Sequence, residues 1–199
     1  MIEALNEWAM SLDFTRLPEL LTYSPERPLI FSSSLFFLLF LGFLPLYGAL
    51  RRTHTLRIIY VVLFSLYFYY KTSGLFLFLL VGMSVSDYVI GRFLCAARKQ
   101  SLRKWLVALS LTIDIGVLCY FKYTNFFIGL LNDVSGRDWL DFQNIFLPVG
   151  ISFFTFQSIS YIIDLYKRRI DPADQWIDYL FYLSFFPQLV AGPIVKARD

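Results

Sequence analysis

The chain has 199 residues and a formal net charge of +3; it is 57% hydrophobic, 20% aromatic and only 17% charged, with a mean hydropathy of +0.58. A soluble domain is usually about 25% charged, so this composition excludes a soluble globular domain, and so small a net charge is no signature of nucleic-acid binding. What remains is an all-α integral membrane protein, with room for five to six transmembrane helices of about 20 residues each.

Taken in chain order, Met1–Pro28 is an acidic arm, with Glu3, Glu7, Asp13, Glu19 and Glu26 against Arg16 and Arg27. It lacks the basic start of a secretory signal and reads as an interfacial helix or loosely ordered segment ahead of a membrane domain over residues 29–199. Leu29–Leu50 is the first span, Arg51–Arg57 a basic loop and Leu56–Tyr70 a short second span. Lys71-Thr72-Ser73-Gly74 is a tight turn into the third span, Leu75–Leu94. A second basic loop, Arg92–Lys104, leads to Trp105–Phe121, which can extend as a tilted helix through Leu131. After a polar stretch, Asn132–Asn144, the fifth span is Leu147–Tyr166, stopped by Lys167-Arg168-Arg169. The last apolar run, Trp176–Ala191, is broken at Pro187 and followed by Gly192-Pro193.

Most of the 18 Lys and Arg residues fall in four clusters: 51–57, 92–104, 167–169 and 196–198. Placing these in the cytoplasm puts the N-terminus outside. The last two clusters then sit on one side with a single apolar run between them. A re-entrant hairpin broken at Pro187 achieves this, because irregular backbone is tolerated in the bilayer where protein covers it; a sixth full span is the alternative. Cys95 and Cys119 fall near opposite ends of consecutive spans, too far apart for a disulfide, and no Cys/His cluster suggests a metal site. The aromatic runs Tyr67–Tyr70 and Tyr120–Tyr123 suit interfacial belts.

Polar groups in the apolar runs are the candidates for function. At about 100° per residue, Gly150, Gln157, Tyr161 and Asp164 lie on one narrow stripe of the fifth span. The stripe could face a buried cavity, or it could simply hydrogen-bond neighbouring helices. Asp164 could pair with Lys167 or Arg168 at i+3 and i+4. Asp87 is close enough to the basic end of its span for Arg92 and the following loop to satisfy it. Asp114 lies nine residues into its span, where a carboxylate is costly unless paired, protonated or wet. Pro187 removes a backbone donor, freeing carbonyls that Gln188 or a ligand could use. His54, the only histidine, lies among arginines and reads as solvated. No nucleophile–base set or phosphate-binding loop is present.

Leu147–Asp164 (LPVGISFFTFQSISYIID), Ser184–Ile194 (SFFPQLVAGPI) and Tyr120–Phe127 (YFKYTNFF) resemble the membrane-bound O-acyltransferase family, in its alginate O-acetylase branch. The resemblance implies a helical enzyme with a tunnel through the bacterial inner membrane. In such an enzyme an acetyl group, from acetyl-CoA or a carrier, passes to an exported polysaccharide with the help of partner proteins and within membrane lipid. It also implies an active-site histidine in a later span. His54 matches no family motif, so the chain reads as an N-terminal part, inactive alone, with no catalytic residue of its own. Gln157, Tyr161, Asp164, Gln188 and Gly192 are the expected tunnel-lining positions. A transporter or flippase component using Asp87, Asp114 and Asp164 is the rival reading, and a non-catalytic scaffold a third.

Overall fold

The computed structural model describes residues 22–23, 34–135, 141, 143 and 145–191. Within these, every regular element is helical. The helices are α1 (Ser34–Ala49), α2 (His54–Ser73), α3 (Leu77–Ala96), α4 (Gln100–Ser135), α5 (Ile151–Tyr166), α6 (Trp176–Ser184) and α7 (Phe186–Ala191). Three helical stretches, Leu35–Arg52, His54–Ala96 and Gln100–Ser135, are long and apolar enough to cross a membrane. The molecule is an all-α membrane protein. The proposed arm over residues 1–28 lies outside the described residues, apart from Thr22 and Tyr23. So does the 192–199 tail, which includes Gly192.

Differences from the sequence reading have local causes. The basic loop at 51–57 shrinks to a 3₁₀ turn, Leu50–Arg52, and Thr53, because Arg57 joins α2 and lies over the Tyr47 ring, 5.6 Å from its centroid. The turn after α2 comes only at Gly74, where φ is 62°; Lys71 is buried in the last helical turn, its ammonium donating to the Thr22 carbonyl. In the run Tyr67–Tyr70, Phe68 and Tyr69 are core residues and not a belt: Phe68 meets Phe36 and Phe186, and Tyr69 meets Phe154. The fourth span runs to Ser135 as one helix of 36 residues. Cys95 and Cys119 are unbridged, as the spacing requires.

Three hydrophobic clusters are buried in the packing, and two regions of it contrast. At one, the rings of Phe36, Phe40, Phe43, Phe64, Phe68 and Phe186 interlock between α1, α2 and α7, with centroids as close as 4.5 Å for Phe43–Phe64 and 5.2 Å for Phe64–Phe186. At the other, α3, α4, α5 and α6 pack together. Helices α3 and α4 are antiparallel: the Arg103 guanidinium at the start of α4 donates to the Leu94 carbonyl at the end of α3 (2.7 Å), while Phe121 meets Phe76 at the other end. Arg103 also donates to the Tyr166 carbonyl (2.7 Å), fastening the end of α5. Small Gly91 lets α3 and α5 approach closely; a Cβ there would sit 2.8 Å from Leu165 Cδ1.

The apolar run at 176–191 is not one helix. Its break falls at Phe185, between α6 and α7, and not at Pro187. Pro187 occupies the first turn of α7, where its missing N–H would have had no helical partner. At nine residues and about 1.5 Å each, α6 is far shorter than a bilayer core of about 30 Å.

Candidate functional site

Two pieces of irregular backbone lie inside the helical packing, and α2 serves both. The Ser65 hydroxyl accepts the Phe186 N–H (3.3 Å) at the break between α6 and α7. Two helical turns further, the Ser73 hydroxyl accepts the Val149 N–H (3.1 Å) in the extended entry to α5. An unpaired backbone N–H away from water costs several kcal/mol, so these serines make the breaks tolerable. The breaks also touch each other. Gly150 caps α5 at φ 77°, and a Cβ there would lie 2.5 Å from the Leu189 carbonyl oxygen. Only glycine meets both demands.

Gln157, Tyr161 and Asp164 are all buried. Gln157 Nε2 donates to Gln188 Oε1 (3.0 Å), joining two of the expected positions across α5 and α7. The Tyr161 hydroxyl accepts the Ala173 N–H (3.1 Å). Asp164 pairs neither with Lys167 nor with Arg168 but with Arg169 (3.4 Å). The helix ends at Tyr166 and Arg168 takes a left-handed φ of 53°, so the chain folds back, the Arg169 N–H meets the Asp164 carbonyl (3.0 Å), and Arg169 lands over the carboxylate. Lys167 and Arg168 point to solvent. Gly150 stands before the helix and not on its stripe. Gly192 lies outside the described residues.

Next to the stripe is a cluster the sequence reading did not assemble. Asp87, fully buried, takes no partner from Arg92; five residues on, Arg92 faces away and is exposed. Instead Ser110 of α4 donates to Asp87 Oδ1 (2.8 Å), while Ser158 of α5 and the Tyr179 hydroxyl of α6 (3.3 Å) donate to Oδ2. Ser158 and Tyr179 also touch at 3.0 Å. Two hydroxyl protons serve three oxygen–oxygen edges, so with both on the carboxylate the third edge carries none. Asp87 thus ties four helices. Polar pairs three or four residues apart within apolar runs mark the cluster: Ser84 and Asp87, Ser110 and Asp114, Thr155 and Ser158. Ser84 itself accepts the Trp176 indole N–H (3.2 Å).

The Tyr161 and Tyr179 rings meet at a tilt of 31° with centroids 4.4 Å apart and share the wall of a cavity of about 190 Å³ with Tyr182, Asp171 and Asp178. The lining holds two carboxylates and no basic side chain, so a polyphosphate group does not fit inside it. His54 is exposed at the start of α2. No group of three or more metal-ligating side chains exists among the described residues.

No protein-family model matches the chain, and no solved structure does. Curated relatives do. The chain is 36% identical over 177 residues to the probable alginate O-acetylase of Pseudomonas aeruginosa, covering 86% of this chain and 34% of that protein. It is 36% identical to that of Azotobacter vinelandii, covering 86% and 35%. It is 31% identical to the peptidoglycan O-acetyltransferase of Helicobacter pylori, covering 86% and 38%. The chain therefore spans about a third of the length of the relatives it matches. Nothing among them supports a transporter. The resemblance carried by residues 147–164 and 184–194, of which 151–164 lie in α5 and 184–191 span the α6–α7 break, is borne out: over its matched length the chain is a homologue of O-acetyltransferases that are named for alginate and for peptidoglycan.

Proposed function

We propose that the chain is the N-terminal membrane part of an O-acetyltransferase of the bacterial inner membrane, acting on an exported polysaccharide of the alginate type, with its N-terminus on the outer side. The observation that carries this is the 36% identity over 86% of the chain to a probable alginate O-acetylase. The acetyl group comes from acetyl-CoA or a carrier on the cytoplasmic side, the side to which the basic residues Lys167 and Arg168 are assigned. Gln157, Tyr161, Asp164, Gln188 and Gly192 belong to the wall of the acyl passage. None of them deprotonates the acceptor hydroxyl; that general base is supplied by the rest of the enzyme, together with its polysaccharide-modifying partner proteins, within the lipid bilayer. The two breaks held by Ser65 and Ser73 favour this reading, since irregular backbone in a membrane accompanies cavities and passages more than anchors.

Complementation tests it. In an alginate producer lacking its own O-acetylase, this chain alone is expected to restore no polymer acetate, and the complete protein to restore it. In the complete protein, Gln157→Leu and Tyr161→Phe are expected to lower polymer acetate several-fold at unchanged membrane abundance. Acetylation by the chain alone would overturn its assignment as a part; full acetylation by both variants would remove the stripe from the passage.

A further inference from the structure

Three tyrosines meet at the cavity of about 190 Å³ formed by α5, α6 and the connector between them. Their ring centroids are 4.4 Å apart for Tyr161–Tyr179, 6.1 Å for Tyr179–Tyr182 and 6.5 Å for Tyr161–Tyr182. Two of the hydroxyls already have partners: Tyr161 meets the Ala173 N–H, and Tyr179 meets Asp87 and Ser158. These two residues therefore offer the cavity rings and not free hydroxyls. Ile170 and Ala173 complete the apolar part of the lining. Its charge is negative. Asp178 is half-buried and Asp171 exposed, and neither carboxylate has a hydrogen bond or ion pair among the described residues. The neighbouring Arg169 is held by Asp164.

This lining narrows the occupant. An anion is repelled by the two carboxylates, and a neutral group makes no use of them. A metal ion gains nothing from rings and aliphatic carbon; calcium takes about 6–8 oxygens, and no group of three or more metal-ligating side chains exists among the described residues. A cation carrying carbon substituents uses both halves of the wall. Aromatic rings attract an ammonium group within about 6 Å of the centroid, and these three centroids are close enough for one such group to reach more than one of them. The volume is below the roughly 300–1,000 Å³ of drug-sized pockets, which suits a head group of few atoms.

We propose that this cavity binds an organic ammonium group, its charge met by Asp171 and Asp178 and its carbon substituents by the rings of Tyr161, Tyr179 and Tyr182. The group belongs either to a lipid head or to a free amine. The cavity is formed entirely within this chain and does not depend on the acyltransferase reading.

Binding to the folded state alone raises the unfolding temperature with ligand concentration. The purified chain in detergent is unfolded thermally in ethanolammonium chloride, choline chloride or sodium chloride at equal ionic strength and pH. A midpoint several degrees higher in an organic ammonium salt than in sodium chloride, saturating with concentration, is expected. The paired Asp171→Asn and Asp178→Asn variant should abolish the difference, and Tyr182→Leu should shift the titration several-fold to higher concentration. If the paired variant fails to fold, the wild-type titration and Tyr182→Leu decide. Lipid nanodiscs separate the two sources. A midpoint raised by phosphatidylethanolamine over phosphatidylglycerol alone, in the wild type and not in the paired variant, marks a lipid head group; a response to the soluble salts only marks a free amine. Either result supports the proposal. Equal midpoints in all three salts with no effect of phosphatidylethanolamine, or a gain that neither variant weakens, would overturn it.

Discussion

Two regions of the packing of this protein solve the same problem by different means. Between α1, α2 and α7, rings fill space against rings. Among α3 to α6, one carboxylate gathers hydroxyls from three other helices. In a bilayer, lipid tails are as apolar as leucine, so apolar surface alone does not choose a partner; close packing and hydrogen bonds do. The ring cluster supplies fit, which neighbouring shapes can imitate. The Asp87 cluster specifies which residue meets which.

That contrast can be broken most severely at the ring cluster. Phe186→Ala removes the ring shared by both helices and the break, and is expected to cost about 3–4 kcal/mol, while Phe186→Leu costs about 1–1.5 kcal/mol; unfolding in detergent measures both. Asp87→Ala leaves Ser110 without its acceptor while Ser158 and Tyr179 can still bond each other; with each buried polar group left unpaired costing about 1–3 kcal/mol, a loss of about 2–3 kcal/mol is expected. Asp87→Asn, which keeps an acceptor oxygen, should cost less. If Asp87→Leu were as stable as the wild type, the cluster would be dispensable and the contrast wrong. Gly150→Ala, strained at φ 77° and pressed on the Leu189 carbonyl, should cost about 2 kcal/mol. A double-mutant cycle on Gln157 and Gln188 should give a coupling of about 0.6 kcal/mol. Arg169→Ala should change stability least, by under about 0.5 kcal/mol, because the guanidinium is 56% exposed.

The sequence carries the helical membrane fold plainly, because long apolar runs have few other homes. The interruption near Pro187 is also readable from Pro and Gly, though the break sits two residues earlier, since proline is content in a first turn; the irregular entry at Leu147–Gly150 is not, because helical spacing carries the span back to Leu147 and puts Gly150 on its stripe. Asp87 is not legible in this way, because its partners are not chain neighbours. Its hydroxyl donors are 23, 71 and 92 residues away, and only the folded arrangement brings them in. Asp164 was assigned by helical spacing, which stops applying once Arg168 leaves the helix. The pairing of Gln157 with Gln188 needed the same three-dimensional information: each residue was conspicuous, but their meeting was not.

Helix α4 has a consequence for how the molecule sits. Its 36 residues make a rod of about 54 Å, nearly twice the hydrocarbon thickness of about 30 Å. Immersing it whole would require leaning over by about 56°, beyond the observed range of about 0–40°. At a typical lean of about 20°, about 21 residues suffice. About fifteen remain for water and headgroups, so α4 is a mast as well as a span, stayed near its far end by the paired bonds between Asn125 and Gln143.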